Sequence, residues 1–105
     1  MKHAQTIVLF VILLAAASPA AAGMIYVEMK GIGFAPARIS AKVGDTIEWS
    51  NRDFVAHTAT ARDHSFDVVV AAGKTAHAVV KRPGKIAYYC RYHPNMTSEI
   101  DVGSK

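Results

Sequence analysis

Cys90, His93 and Met96 recur every third residue in Tyr88-Tyr89-Cys90-Arg91-Tyr92-His93-Pro94-Asn95-Met96, offering a thiolate, an imidazole and a thioether in turn. A turn of about three residues brings such positions to one side of a tight loop, and Pro94 stiffens it. A second imidazole completes the set: His57 lies upstream, in Asn51-Arg52-Asp53-Phe54-Val55-Ala56-His57-Thr58. Two imidazoles and a thiolate in a plane, with a weak, long axial thioether, are the donors of a blue-copper electron-transfer site. Thiolate and thioether favour the reduced ion while imidazole suits both states, so little rearrangement is needed when an electron moves. Zinc is a poor fit, because its usual donors are thiolate, imidazole and carboxylate. The expected roles are Cys90 as the strong ligand, His57 and His93 completing the plane, and Met96 tuning the potential from the axial position.

Each residue alone has an ordinary explanation. A lone cysteine is commonly a small buried hydrophobe, a methionine core packing, and a histidine a surface group. Their joint spacing outweighs those readings. His64 and His77 lie in polar surroundings and read as solvated side chains, while Ile47, Trp49, Ile86 and Tyr88 read as core. Asn95-Met96-Thr97 fits a glycosylation acceptor, but a glycan beside an axial ligand would crowd the site, so the match reads as coincidence. The chain has no His-x-His or His-Cys-His sequence and a single cysteine, which excludes the extra ligand sets of a multicopper oxidase and of a binuclear copper centre. No enzymatic activity is expected.

The elements that must position these donors are strands. Ile25, Val27 and Met29 alternate with polar neighbours, as do Ile39, Ala41 and Val43, and then Ile47, Trp49 and Asn51 after Gly44-Asp45. Such a period of two marks half-buried strands, and the last two runs read as a hairpin. Phe66 to Val70, Thr75 to Lys81, Lys85 to Cys90 and Glu99 to Val102 supply further short strands, and no long helical period occurs. Short strands at spacings of about ten residues predict an all-β antiparallel sandwich or barrel, in one domain without repeats.

The start of the chain is of another kind. Lys2 and His3 precede an unbroken apolar run from Ile7 to Ala17, closed by Ser18-Pro19-Ala20-Ala21-Ala22. That pattern is a secretory signal peptide over residues 1–22, and it is too short for a membrane span. The folded product is then residues 23–105, exported, with no membrane insertion after cleavage. Lys2 is the only charged residue lost, which lowers the net charge from +4 to +3. So mild an excess, without a basic run longer than Lys81-Arg82, argues against nucleic acid as a partner. Small exported domains often rely on disulfides, yet Cys90 has no partner in the chain. A bound metal would protect its sulfur.

These features together resemble the cupredoxin family, or type 1 blue-copper proteins. The resemblance is carried by Phe34-x-Pro36, Val43-Gly44-Asp45-Thr46-x-x-Trp49-x-Asn51, His57-Thr58, Pro83-Gly84 and Tyr88-Tyr89-Cys90-x-x-His93-x-x-Met96, over residues 25–102. The two-residue gaps on each side of His93 are most like those of amicyanins, whereas pseudoazurins and plastocyanins have a longer second gap. The resemblance implies a Greek-key β-sandwich of about seven or eight strands with one copper ion at one end. It also implies a soluble, monomeric, periplasmic one-electron carrier, whose redox partners would be c-type cytochromes or a periplasmic dehydrogenase. The rival expectation is a periplasmic protein that stores or delivers copper. One departure stands out: Thr58 follows the first ligand where amicyanins, azurins and plastocyanins carry Asn.

Overall fold

The computed structural model describes residues 3–9, 11 and 21–104. Most of the expected export segment, residues 1–22, lies outside the described residues. Among those described, nine strands follow in order: β1 (Met24–Met29), β2 (Phe34–Ala35), β3 (Arg38–Lys42), β4 (Thr46–Asn51), β5 (His57–Ala61), β6 (Asp67–Val70), β7 (Thr75–Val79), β8 (Gly84–Tyr89) and β9 (Thr97–Gly103). They form two layers, a four-stranded sheet ordered β2-β1-β4-β7 and a five-stranded sheet ordered β3-β9-β8-β5-β6. The all-β sandwich is as expected, with nine strands among the described residues where about seven or eight were expected.

Alternation builds the core. Val27, Met29, Ile47 and Trp49 point inward from the smaller sheet, and Ile86, Tyr88, Ile100 and Val102 from the larger. An aromatic cluster fills the centre: Trp49 lies 5.7 Å from Tyr88 and 5.3 Å from Phe66, and Phe34 lies 4.7 Å from Tyr88, measured between ring centroids. Tilted and edge-on arrangements of this kind suit the ring quadrupoles. Trp49 Nε1 donates to the Tyr88 hydroxyl at 3.4 Å, so the two polar handles satisfy each other in the dry interior.

Two expectations are corrected. The runs flanking Gly44-Asp45 are not a hairpin, because β3 pairs with β9 in one sheet while β4 pairs with β1 and β7 in the other. Gly44, at φ +99°, turns the chain across the sandwich, and Asp45 fastens the crossing by accepting from Gly23 N and Lys42 N, each at 2.8 Å. A period of two reports which face is buried, and says nothing about which strand lies alongside. The sandwich is also not wholly antiparallel: β1 with β4, and β3 with β9, run parallel. Chain that crosses between layers before pairing makes such pairs possible.

The donor residues all come from one end of this sandwich. His57 opens β5, a strand buried along its whole length between β6 and β8, and Cys90 follows directly on β8. Just past the opposite end of β5, Asp63 accepts from Ser65 N at 2.9 Å and pairs with Arg82. Hydrogen bonding from Ser65 and the Arg82 guanidinium hold the Asp63 carboxyl down at about 2. A lowered folded pKa means that the contribution to stability is complete above the unfolded value, about 3.9, and is lost as the pH falls through the folded one. Asp63→Asn should therefore flatten the loss of stability between about pH 4 and pH 2, where the two protonation curves differ. Urea unfolding of the metal-free protein across that range reads the slope, and an unchanged slope would contradict the pairing.

Candidate metal centre

Two loops carry the site, residues 52–56 between β4 and β5 and residues 90–96 between β8 and β9. The first is shaped by Asn51, which is 1% exposed and ends β4 on its inward face. Its side-chain amide donates to Val55 O at 2.8 Å and to Val70 O at 2.9 Å, and its side-chain oxygen accepts from Asp53 N at 2.9 Å. A single buried side chain thus satisfies two backbone groups of the irregular loop and a third at the end of β6. The second loop is two successive tight turns: His93 N donates to Cys90 O at 3.3 Å and Met96 N to His93 O at 2.8 Å. Cys90 N closes the loop on Met96 O at 3.0 Å. The three-residue spacing read from the sequence is this pair of turns.

The loops bring His57, Cys90 and His93 together. Cys90 Sγ lies 3.8 Å from His57 Nδ1 and 3.7 Å from His93 Nδ1, and all three donor atoms fall within 4.8 Å of one another. The imidazole rings stand edge to face, with centroids 5.0 Å apart. His57 and Cys90 are fully buried, and His93 is half-buried at the rim. Met96 is 1% exposed beneath the same loop. Among the described residues, His64 and His77 stay apart from this group; both are exposed, and His77 pairs with Glu48 at 2.9 Å.

Two contacts prepare these donors, and the sequence reading gave neither a role. Thr58 N donates to Cys90 Sγ at 3.3 Å, which fixes the position of the sulfur. Asp53 accepts from His57 Nε2 at 2.7 Å, leaving the Nδ1 lone pair free toward the sulfur. The same carboxylate accepts from Gly31 N at 2.8 Å and Ile32 N at 3.1 Å, so it binds the β1–β2 turn to the ring as well. These bonds, Ile32 first and His57 next, hold the Asp53 carboxyl below its ordinary value. The available signal was an acid four residues before the histidine, a spacing too common to be read alone.

Comparison with known proteins follows the geometry. A family model described as a cupredoxin-like domain matches residues 4–102. A purple cupredoxin from Nitrosopumilus maritimus aligns with a TM-score of 0.69 at 21% identity, over 75% of this chain and 99% of that one. The Cu(I) form of an amicyanin variant aligns with a TM-score of 0.69 at 22% identity, over 79% and 85% of the two chains. A copper-containing nitrite reductase from Thermus scotoductus aligns at 26% identity with a TM-score of 0.69, over 77% of this chain but only 22% of the reductase.

If Asp53 sets the tautomer of His57, Asp53→Ala should spread the ring proton over both nitrogens in the metal-free protein. Nitrogen NMR of His57 reads this directly. Cu(I) affinity should fall about 10- to 100-fold, the usual cost of losing the partner of a ligand histidine. A His57 signal identical to wild type would exclude the role.

Proposed function

This chain belongs to the cupredoxin-like family, and from that premise we propose that it is an exported, periplasmic, mononuclear copper protein that carries single electrons between redox partners. The observation that supports this best is the convergence of two buried donors and one half-buried donor on a point between two loops. The donor set fits the ion. Cys90 Sγ stands 3.7 and 3.8 Å from the two imidazole nitrogens, close enough for one ion to be shared among the three. His57, Cys90 and His93, with Met96 from the same loop as Cys90 and His93, would hold the copper ion. Copper bound there supplies a one-electron couple.

The remaining work falls to the chain. Thr58 N–H holds the sulfur, Asp53 fixes the deep imidazole, and the hydrogen-bonded loop from 90 to 96 holds Cys90, His93 and Met96 in place. Burial of His57 and Cys90 keeps water from the sulfur. His93 alone reaches the rim, amid exposed apolar groups: Phe54 is 100% exposed, and Val55 and Tyr92 are each 50% exposed. An apolar rim around one exposed ligand suits brief docking with short electron-transfer distances. No substrate pocket is required, and the chain acts as carrier and not as enzyme.

The copper-loaded oxidised protein should show an intense visible thiolate-to-copper band, and Cys90→Ser should abolish it. A colourless wild type, or a band that survives in the variant, would sink the copper assignment. Stoichiometric release of copper to an acceptor without oxidation or reduction would turn the reading toward copper delivery.

Charge placement makes a second prediction. Arg52 sits in the loop beside His57, loosely paired to Glu28 at 3.7 Å, whereas Lys85 lies along β8 and is paired to Glu99 at 3.8 Å. The two cations are alike in exposure and in pair length and differ in distance along the sandwich from the donor end. Arg52→Glu should slow electron exchange with an acidic partner at low salt severalfold more than Lys85→Glu, and the gap should close as salt is added. Equal effects would place the docking surface elsewhere.

A further inference from the structure

Outside the donor cluster, on the opposite side of β5, a line of hydroxyl groups runs from the entry of the ligand loop to Asp67. Arg91 N donates to Thr58 Oγ1 at 2.8 Å, Thr58 Oγ1 meets Thr60 Oγ1 at 2.9 Å, and Thr60 Oγ1 donates to Asp67 Oδ1 at 2.7 Å. The Arg91 side chain closes the ring, with Nε 3.2 Å from the same Asp67 oxygen. Thr58 is fully buried and Thr60 is 6% exposed, so these hydroxyls have little access to water.

The ends of the line fix the direction of every bond in it. A backbone N–H can only donate, and an ionised carboxylate can only accept. Thr60 must therefore give its proton to Asp67, Thr58 must give its proton to Thr60, and the Thr58 oxygen is left facing the Arg91 N–H. Asp67 is kept ionised, since hydrogen bonding from Thr60 and the neighbouring Arg91 hold its carboxyl below the ordinary value. Chains of this kind strengthen one another in a low-dielectric interior.

Resting on the reading of the cluster as a copper centre, we propose that Asp67 is a positioning residue of that centre. Acting through Thr60 and Thr58, it holds the Arg91 peptide and so fixes the direction in which the chain leaves Cys90. Thr58 lies at the crossing of two restraints. Its N–H fixes the sulfur of Cys90, and its hydroxyl fixes the residue that follows Cys90. A threonine side chain is too short to tie the loop and remain satisfied alone in a buried place, so Thr60 and Asp67 supply the rest of the path.

The test compares Thr60→Val, Asp67→Ala and Arg91→Gln. Thr60→Val keeps volume and cuts the hydroxyl line; Arg91→Gln cuts the direct side-chain link and leaves the line whole. In metal-free protein, hydrogen exchange at the Arg91 amide should quicken by about three- to tenfold in the first two variants, the equivalent of one hydrogen bond, and by less in Arg91→Gln. Exchange at Ile86 and Ile100 should stay at its wild-type rate. In the copper-loaded oxidised protein, the first two variants should shift the energy of the thiolate-to-copper band. Unchanged exchange at Arg91, or an equal rise at Ile86 and Ile100, would overturn the proposal, as would a band that does not move. The exchange arm needs no copper, so it decides the positioning claim separately from the copper reading itself.

Discussion

The donor end of this protein is organised around one buried sulfur. Cys90 is 0% exposed and follows directly on β8, where Ile86 and Tyr88 already point into the core. Its position is thus set by the packing of the whole sandwich, and Thr58 N, on the adjacent strand β5, aims a hydrogen bond at it from 3.3 Å. Everything else must come to that sulfur. His57 precedes the donating residue by one position, and His93 returns to the sulfur through a single tight turn.

Buried irregular chain is costly unless its polar groups are paired. The two loops meet this condition in different ways. The segment from 52 to 56 leans on side chains, with Asn51 serving three backbone groups and Asp53 serving two more as well as the His57 ring. The segment from 90 to 96 is satisfied largely by its own backbone, through the two turns and the closing bond between Cys90 and Met96. Its outer flank is held by the Thr58 hydroxyl, a short group that draws on Thr60 and Asp67. Both loops are therefore tied to strands of the larger sheet or to the end of β4, which makes the site a property of the scaffold.

Much of this was legible in the residues. The spacing of Cys90, His93 and Met96 reports a tight loop because a tight turn has a period of about three residues. Alternation in β1, β4, β8 and β9 gave the inward faces correctly, and Trp49 and Tyr88 as their largest members. The donor His57 could be selected from the five histidines only because the other residues of the set were already fixed.

Pairing was not legible. Residues 38–43 and 46–51 alternate in the same way whether they lie side by side or, as here, in separate sheets, since a strand's pattern records burial and not its neighbour. Nor could the sequence assign Asp53, Thr60 or Asp67, whose roles depend on contacts across loops and between strands and leave no periodic trace. The identities of the donors are local chemistry, and a chain can state them at short spacing. Their tautomers, orientations and supporting bonds arise where β5 meets β8 and where the β1–β2 turn meets Asp53, and only the folded chain brings those segments together.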